Sequence, residues 1–490
     1  MNAADLVLAG GHPNATALRT RDSDLTFGEL SAYANRFANA LAAKGIGKGD
    51  RIVFLLDDRP ALYAAFFGAL RIGAVPLVIN TRWNAEQVGF AAEDSGAKLI
   101  FSEAAYEATA RAASTAVEIV NAKSHDRQSD ALSSLTMHPD DMAFWIYTSG
   151  TTNSPKAAIH THRMASIADK TMRDVHGVSA DDTVLVTSKT FFAFAIGHAL
   201  LGALKIGASV VLDPTWPSPD GVAETVAAFR PTVLYSVPTL YRAMLNAGVV
   251  DSEAFASVRR CVSAGERLPE QIQARWHDAT GTAIAEGIGT SETVFMFLCN
   301  PLEDIRPGSA GRVTPGSAVR LESDDGTLID SRGETGVLWT RLDSVAAGYW
   351  NQPELTAASF ADGWFRTGDL FRFDADGYWF HEGRADDLLK ISGQWINPIE
   401  IEDCVTRSGL CEESALIGSP DSDGLERPIL YVAQSGHHDI GVLVDSVRAT
   451  LEAEMPRHKC PRDIRVIDAL PRTATGKIQR FRLRELAAES

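Results

Sequence analysis

The chain has 490 residues, 45% of them apolar and 22% charged, with a formal net charge of −17. That length suffices for about three units with buried cores, and the composition is ordinary for a globular protein, which excludes a disordered or fibrous chain. The negative charge opposes non-specific binding to nucleic acid and docking on an anionic membrane, because both need clustered cations.

In chain order, Arg51 to Leu56 is a short β-type run, Pro60 to Arg71 has helical periodicity with proline in the first turn, and Ala74 to Ile79 is an apolar strand. Ala85 to Ser95 follows as a helix and Lys98 to Phe101 as a strand. Such alternation predicts an α/β protein with helix-covered, mainly parallel sheets. Ala143 to Tyr147 is a further strand that runs into a polar turn, with a helix expected near Met164 to Val175. A strand, a polar turn and a helix is where α/β proteins usually place a ligand.

The longest apolar stretch, Phe191 to Leu204, contains Gly197, His198 and Gly202 and is shorter than the roughly 20 residues of a membrane span. From about residue 301 to 383, turns such as Asp325-Gly326, Arg332-Gly333 and Asp376-Gly377 separate short β runs, which predicts a β-rich subdomain, a small antiparallel sheet or barrel. After Arg384 the pattern restarts, with helices over Pro398 to Arg407 and about Ile440 to Glu454. The expected organisation is a large N-terminal domain (1–383), a linker (384–388) and a small α+β C-terminal domain (389–490). Five cysteines, Cys261, Cys299, Cys404, Cys411 and Cys460, form no Cys-x-x-Cys pair, and Met1 to Asp5 lacks the basic start of a signal peptide. Both features point to a cytoplasmic protein.

Thr148-Ser149-Gly150-Thr151-Thr152 sets four hydroxyls and a glycine in five residues, with Lys156 close behind. Hydroxyls and exposed backbone N–H groups can wrap a polyphosphate, glycine lets the main chain approach, and lysine adds a point charge. The run is not a Walker loop, which requires a second glycine directly before the lysine. Taken alone it could equally be a polar turn.

Tyr147 to Lys156 resembles the phosphate signature of the adenylate-forming superfamily, which contains acyl- and aryl-CoA ligases, firefly luciferase and peptide-synthetase adenylation domains. Asn153 and Ala157 stand where that signature usually has glycine; Asn tolerates a left-handed turn and Ala does not, which implies altered loop mobility with binding retained. Further matches follow in the family's order. Ser263-Ala264-Gly265-Glu266 resembles the segment along the adenine face. Glu286-Gly287-Ile288-Gly289-Thr290-Ser291-Glu292 resembles the motif in which the serine meets the α-phosphate and the glutamate holds Mg²⁺, with Ile288 in place of the usual tyrosine. Asp369 resembles the ribose carboxylate, where one acidic group accepts from both hydroxyls. Arg384 would also touch the ribose, Asp386 would be the hinge, and Lys390, Ser392 and Gly393 would enter the site for the second half-reaction. Pro471 to Arg480 resembles the C-terminal motif that carries the catalytic lysine, here Lys477. Any one of these segments could be an ordinary turn; the order of the series is what gives it weight.

The resemblance implies ATP, Mg²⁺ and coenzyme A as co-substrates and cofactor, with Lys477, Glu292 and Lys156 as catalytic groups and Thr148 to Thr152, Ala264 to Glu266, Glu286 to Ser291, Asp369 and Arg384 around the nucleotide. The aromatic run Phe191 to His198 and the segments Tyr235 to Tyr241 and Thr473 to Phe481 are most similar to benzoate-type aryl-CoA ligases. This places Phe192, Ala193, Phe194, Gly197, His198, Ser236 and Phe295 around a small aromatic carboxylic acid, although the same cluster reads equally as core. Phe295 stands where a polar residue is frequent in that subgroup, which implies a drier pocket or one shaped for a different ring substituent. Transfer to the phosphopantetheine of a separate carrier protein, a luciferase-like oxygenase and a non-catalytic nucleotide or acyl sensor are the alternatives, and a homodimer is left open.

Overall fold

The computed structural model describes residues 1–113, 118–121, 128–148, 155–323, 325–391, 394–411, 413–420, 426–434, 439–472 and 478–488. Ser149, Gly150, Thr151, Thr152, Asn153, Ser392, Gly393 and Lys477 lie outside these residues. The chain divides into two compact units, one of Met1–Val319 with Trp339–Arg366 and one of Arg320–Leu338 with Thr367–Ser490.

Two sheets organise the first unit. In one, the strands Arg51–Leu55, Val75–Val78, Leu99–Ser102, Glu118–Asn121 and Met142–Thr148 pair in parallel. Their connections are helices such as Pro60–Arg71, with proline in the first turn, and Ala85–Ser95. The second helix opens with a capping box between Asn84 and Gln87 and closes on Gly96 at φ +58°. Every residue from Leu62 to Arg71 is buried, and the Arg71 head is held by Asp5, Ser31 and Asn35, so its charge is paired inside the fold. The other sheet has nine strands; Thr16–Arg19, Ser209–Val211, Thr183–Val186, Val233–Ser236, Arg260–Ser263 and Ile284–Ile288 run parallel in that order. The alternation of strands and helices in the sequence thus reports a mixed α/β fold with mainly parallel sheets.

One expectation is corrected. The Thr148 loop does not lead from a strand into a helix. Lys156–Thr161 is itself a strand, antiparallel to Met142–Thr148 with Thr148 opposite Lys156, and the helical turns come only at His162–Ser166 and Lys170–Asp174. The sequence Lys156-Ala-Ala-Ile-His-Thr161 buries Ala157, Ala158, His160 and Thr161 and extends the sheet edge instead of coiling. Ala157, paired with Tyr147, is extended, so no glycine is required there.

The β-rich stretch after residue 301 includes the strands Ala318–Glu322, Leu328–Ile329, Gly336–Arg341, Phe360–Ala361, Trp364–Phe373 and Trp379–Arg384. In the second unit, Trp379–Arg384 lies antiparallel to the latter half of Trp364–Phe373. A separate C-terminal fold follows: Glu413–Pro420, Glu426–Ala433 and Asp463–Ile467 form a sheet packed with the helices Pro398–Arg407 and Ile440–Glu454. Its helix Arg480–Ala488 begins at a partly buried arginine, whose guanidinium grips both oxygens of Glu402 at 2.6 and 3.0 Å.

Candidate active site

In the nine-stranded sheet the carboxyl ends of three adjacent parallel strands are in register: Ser236 lies opposite Ser263, and Ser263 opposite Glu286. Open α/β sheets bind ligands outside this edge. The edge is unusually polar for a core. Ser236 and Ser263 are wholly buried, and Ser263 Oγ has no hydrogen-bond partner among the described residues; nor have the buried Oγ1 atoms of Thr148 and Thr290. Unsatisfied buried hydroxyls are costly unless a ligand completes them. Glu286 is buried, its Oε1 accepting from the Leu268 N–H at 3.1 Å, and burial pushes its carboxyl up to about 8. Ala264 is buried beside Gly265, which turns the chain at φ +93°.

Beyond Glu286 the chain makes a tight loop. Thr293 Oγ1 accepts from the Thr290 N–H at 2.9 Å, and Val294 takes φ +61°, a conformation that β-branched residues avoid at a cost of about 1–3 kcal/mol. This loop aims Glu292 at Lys156. A Cβ on Gly289 would lie 2.8 Å from the Phe295 carbonyl oxygen, so the glycine is what lets the loop close.

Glu292 is 7% exposed, and its Oε1 accepts from the Tyr349 phenol at 2.7 Å. The same phenol oxygen accepts from Lys156 Nζ at 2.9 Å, and Nζ lies 3.8 Å from Glu292 Oε1 and 4.1 Å from the Tyr349 ring centre. A cation, a phenol and a carboxylate therefore form one bridge. Tyr349 reaches it because Ala347 and Trp350 donate backbone hydrogen bonds to Ile159 and Ala157, laying this segment along the Lys156–Thr161 strand. Below the bridge, the buried His160 stacks on Phe144, with Nε2 2.9 Å from the Ser291 carbonyl and Nδ1 3.3 Å from that of Ser344. Burial lowers its pKa to about 4, which keeps the ring neutral. Tyr349 and His160 were missed from sequence: Tyr349 is 193 positions from Lys156, and neither falls in a motif whose chemistry announces it.

The expected acyl residues converge in this unit as well. Phe194 and His198 pack with ring centres 4.9 Å apart, and Tyr235 lies 4.9 Å from His198. Ser236 Oγ shares a hydrogen bond with Thr187 Oγ1 at 2.8 Å. Gly197 abuts Phe295: a Cβ there would sit 2.8 Å from the Val294 carbonyl oxygen and 3.3 Å from the Phe295 ring. Phe192, Ala193 and Phe194 keep part of their surface accessible, whereas Gly197 and His198 are buried.

In the second unit, Asp369 pairs in register with Arg384, and Arg384 Nη1 donates to Asp369 Oδ1 at 3.2 Å and to the Thr367 carbonyl at 3.0 Å. His381 Nε2 is 3.5 Å from the same carboxylate oxygen. Asp386, in the single turn Ala385–Asp387, is exposed and lies 3.6 Å from Arg384 Nη2. Lys390 is a strand residue opposite Trp395.

A mainly parallel α/β unit with a buried polar edge and a lysine–carboxylate bridge, followed by a separate C-terminal fold, is the arrangement of an adenylate-forming enzyme. The chain matches the family model described as AMP-binding enzyme over residues 8–350 and that of the AMP-binding enzyme C-terminal domain over residues 400–477, and it belongs to this family. It is 43% identical to a 3-hydroxybenzoate–CoA ligase of Aromatoleum sp. (strain CIB), covering 99% of this chain and 97% of the relative. It is 42% identical to a 3-hydroxybenzoate–CoA/4-hydroxybenzoate–CoA ligase of Thauera aromatica, again over 99% and 97%. The crystal structure of an anthranilate CoA ligase in complex with anthranoyl-AMP superposes with a TM-score of 0.92 at 32% identity, covering 100% of this chain and 98% of that one.

Proposed function

We propose that this chain is an ATP-dependent ligase that joins an aromatic acid of the hydroxybenzoate class to coenzyme A. The carboxylate oxygen attacks the α-phosphorus of ATP and pyrophosphate leaves; the CoA thiolate then attacks the acyl carbon, the C–O bond breaks and AMP leaves. The first step brings two anions together, so it needs cationic help. Lys156 provides a fixed charge, held in place by Tyr349. Ser291 and Thr290 offer groups to the α-phosphate, Ala264 to Glu266 and Ile288 flank the base, and Asp369 with Arg384 takes the ribose. Glu292 suits a hard divalent cation that binds through one or two carboxylates and completes its shell with substrate phosphates. Mg²⁺ bound there with ATP would neutralise polyphosphate charge. Lys477 is assigned as the second cation of adenylation, and Asp386 as the hinge between the domains 1–383 and 389–490.

The observation that carries this reading is the Lys156–Tyr349–Glu292 bridge, within a chain matched to aryl-CoA ligases along almost its whole length. The test is a coupled assay with ATP, Mg²⁺, CoA and a panel of aromatic acids, following pyrophosphate and identifying thioesters by mass. A hydroxybenzoyl-CoA product is the expected result. Acid-dependent pyrophosphate without a CoA thioester would redirect the acyl group to a carrier protein, and no turnover of any acid would overturn the reading.

A further inference from the structure

The aromatic cluster holds one polar atom that the mechanism does not use. His198 lies in the π-helix Ile196–Ala203, and such wide turns within helices are frequent at functional sites. Its Nδ1 is 2.8 Å from the Phe194 carbonyl oxygen. A carbonyl can only accept, so Nδ1 carries the proton. Burial lowers the imidazole pKa to about 4 and keeps it neutral, so Nε2 bears a lone pair and is an acceptor. His198 is 1% exposed, and Nε2 has no hydrogen-bond partner among the described residues.

The neighbouring polar groups are engaged with one another. Tyr235 Oη is 2.8 Å from His176 Nδ1, His176 Nε2 is 3.1 Å from Cys299 Sγ, and Ser236 Oγ is bonded to Thr187. Phe194, whose ring packs against that of His198, and Phe295, which abuts the adjacent Gly197, are apolar. An aromatic acid entering past the partly accessible Phe192–Phe194 segment would meet these apolar groups and the Nε2 acceptor one helical turn further in.

Resting on the function proposed above, we infer that His198 Nε2 reads a hydrogen-bond donor on the ring of the acid, and that the donor is a hydroxyl. A hydroxyl completes the buried acceptor. A bare ring leaves it unpaired, and a methoxyl opposes it with a second acceptor. Sites built to pair a substrate hydroxyl reject the analogue lacking it far more strongly than apolar pockets reject a size difference.

The experiment compares kcat/KM of the full-length enzyme for 3-hydroxy-, 4-hydroxy-, 3-amino-, 3-methoxy- and unsubstituted benzoate, with His198→Phe and His198→Gln beside the wild type. The wild type is expected to prefer its better hydroxybenzoate over benzoate and methoxybenzoate by about tenfold or more. In His198→Phe the hydroxybenzoate-to-benzoate ratio should fall about tenfold, and His198→Gln, whose amide oxygen can accept, should recover part of it. An unchanged ratio in a folded His198→Phe enzyme, or a wild type that takes methoxybenzoate as well as hydroxybenzoate, would overturn the role of His198. The second comparison needs no variant, so misfolding cannot rescue the proposal. A preference for aminobenzoate over every hydroxybenzoate would overturn the hydroxyl as the donor. Failure of the wild type with all five acids would instead strike the proposed function itself.

Discussion

Tyr349 couples two groups that a motif search treats as separate. Its phenol accepts from Lys156 and donates to Glu292, and hydrogen bonds to charged groups contribute about 1.5–3 kcal/mol each. Tyr349→Phe is expected to lower kcat/KM for ATP by ~10–100-fold, measured by acid-dependent ATP–pyrophosphate exchange; an unaltered exchange rate would remove Tyr349 from the site. Glu292→Gln should reduce the same exchange by ~10²–10³-fold, on the scale of losing one electrostatic stabiliser. Glu286 makes a prediction about pH. Between its ordinary value of 4.5 and its folded value of about 8, the buried carboxyl keeps a proton that the unfolded chain releases. Its contribution to stability is therefore full below about 4.5 and is lost as pH rises towards 8, amounting to a few kcal/mol in order of magnitude. Glu286→Gln should flatten the fall in Tm between pH 5 and pH 8. An identical Tm profile in the variant would mean that the carboxyl ionises normally. The residue types of the Glu286–Glu292 motif could be picked out in the sequence, because the phosphate and metal chemistry proposed for it restricts them. The neutral state of Glu286 was not, since only the surrounding fold decides its burial.

At the level of elements, helices with strong local signals were read with their ends correct. Pro60–Arg71, Ala85–Ser95 and Pro398–Arg407 each carry a proline or a capping residue at the start and an apolar face thereafter. The strand Lys156–Thr161 was not read because its six residues carry no period-two alternation to set against the helical turns after them; its pairing with Met142–Thr148 settled the matter. The helical run after Phe192 shows the reverse case, an apolar stretch whose composition suits core and pocket equally. Its contact with the 290s loop is testable. The Cβ of Gly197→Ala would come within 2.8 Å of the Val294 carbonyl oxygen, and overpacking of this kind costs about 1–3 kcal/mol. The variant should melt lower and show a raised KM for the acid with a smaller change in KM for ATP. Equal effects on both substrates would argue that the contact is merely structural.

For the whole molecule, the proposed two-step chemistry needs the small domain to serve two different half-reactions. Asp386 stands in an exposed single turn between the strand ending at Arg384 and the C-terminal fold. Proline there would fix φ near −65°. Asp386→Pro is therefore expected to slow thioester formation by at least about tenfold more than adenylation, a gap of about 1.4 kcal/mol in barrier, read from single-turnover transfer against pyrophosphate exchange. Equal losses in both would assign the turn a purely structural role. Among the described residues no helix is long and apolar enough to cross a membrane. The sequence by itself determined the fold class and the family, through the ordered series of motifs that resembles it, because helix caps, strand runs and motif residue types are set over a few neighbouring positions. The tertiary structure alone decided that Tyr349 joins Lys156 to Glu292, that His160 lies beneath the Ser291 loop and that the His198 acceptor is unpaired among the described residues. Each of these depends on which side chains long-range packing brings within hydrogen-bond reach and which it removes from water, and that is not encoded in any local stretch of chain.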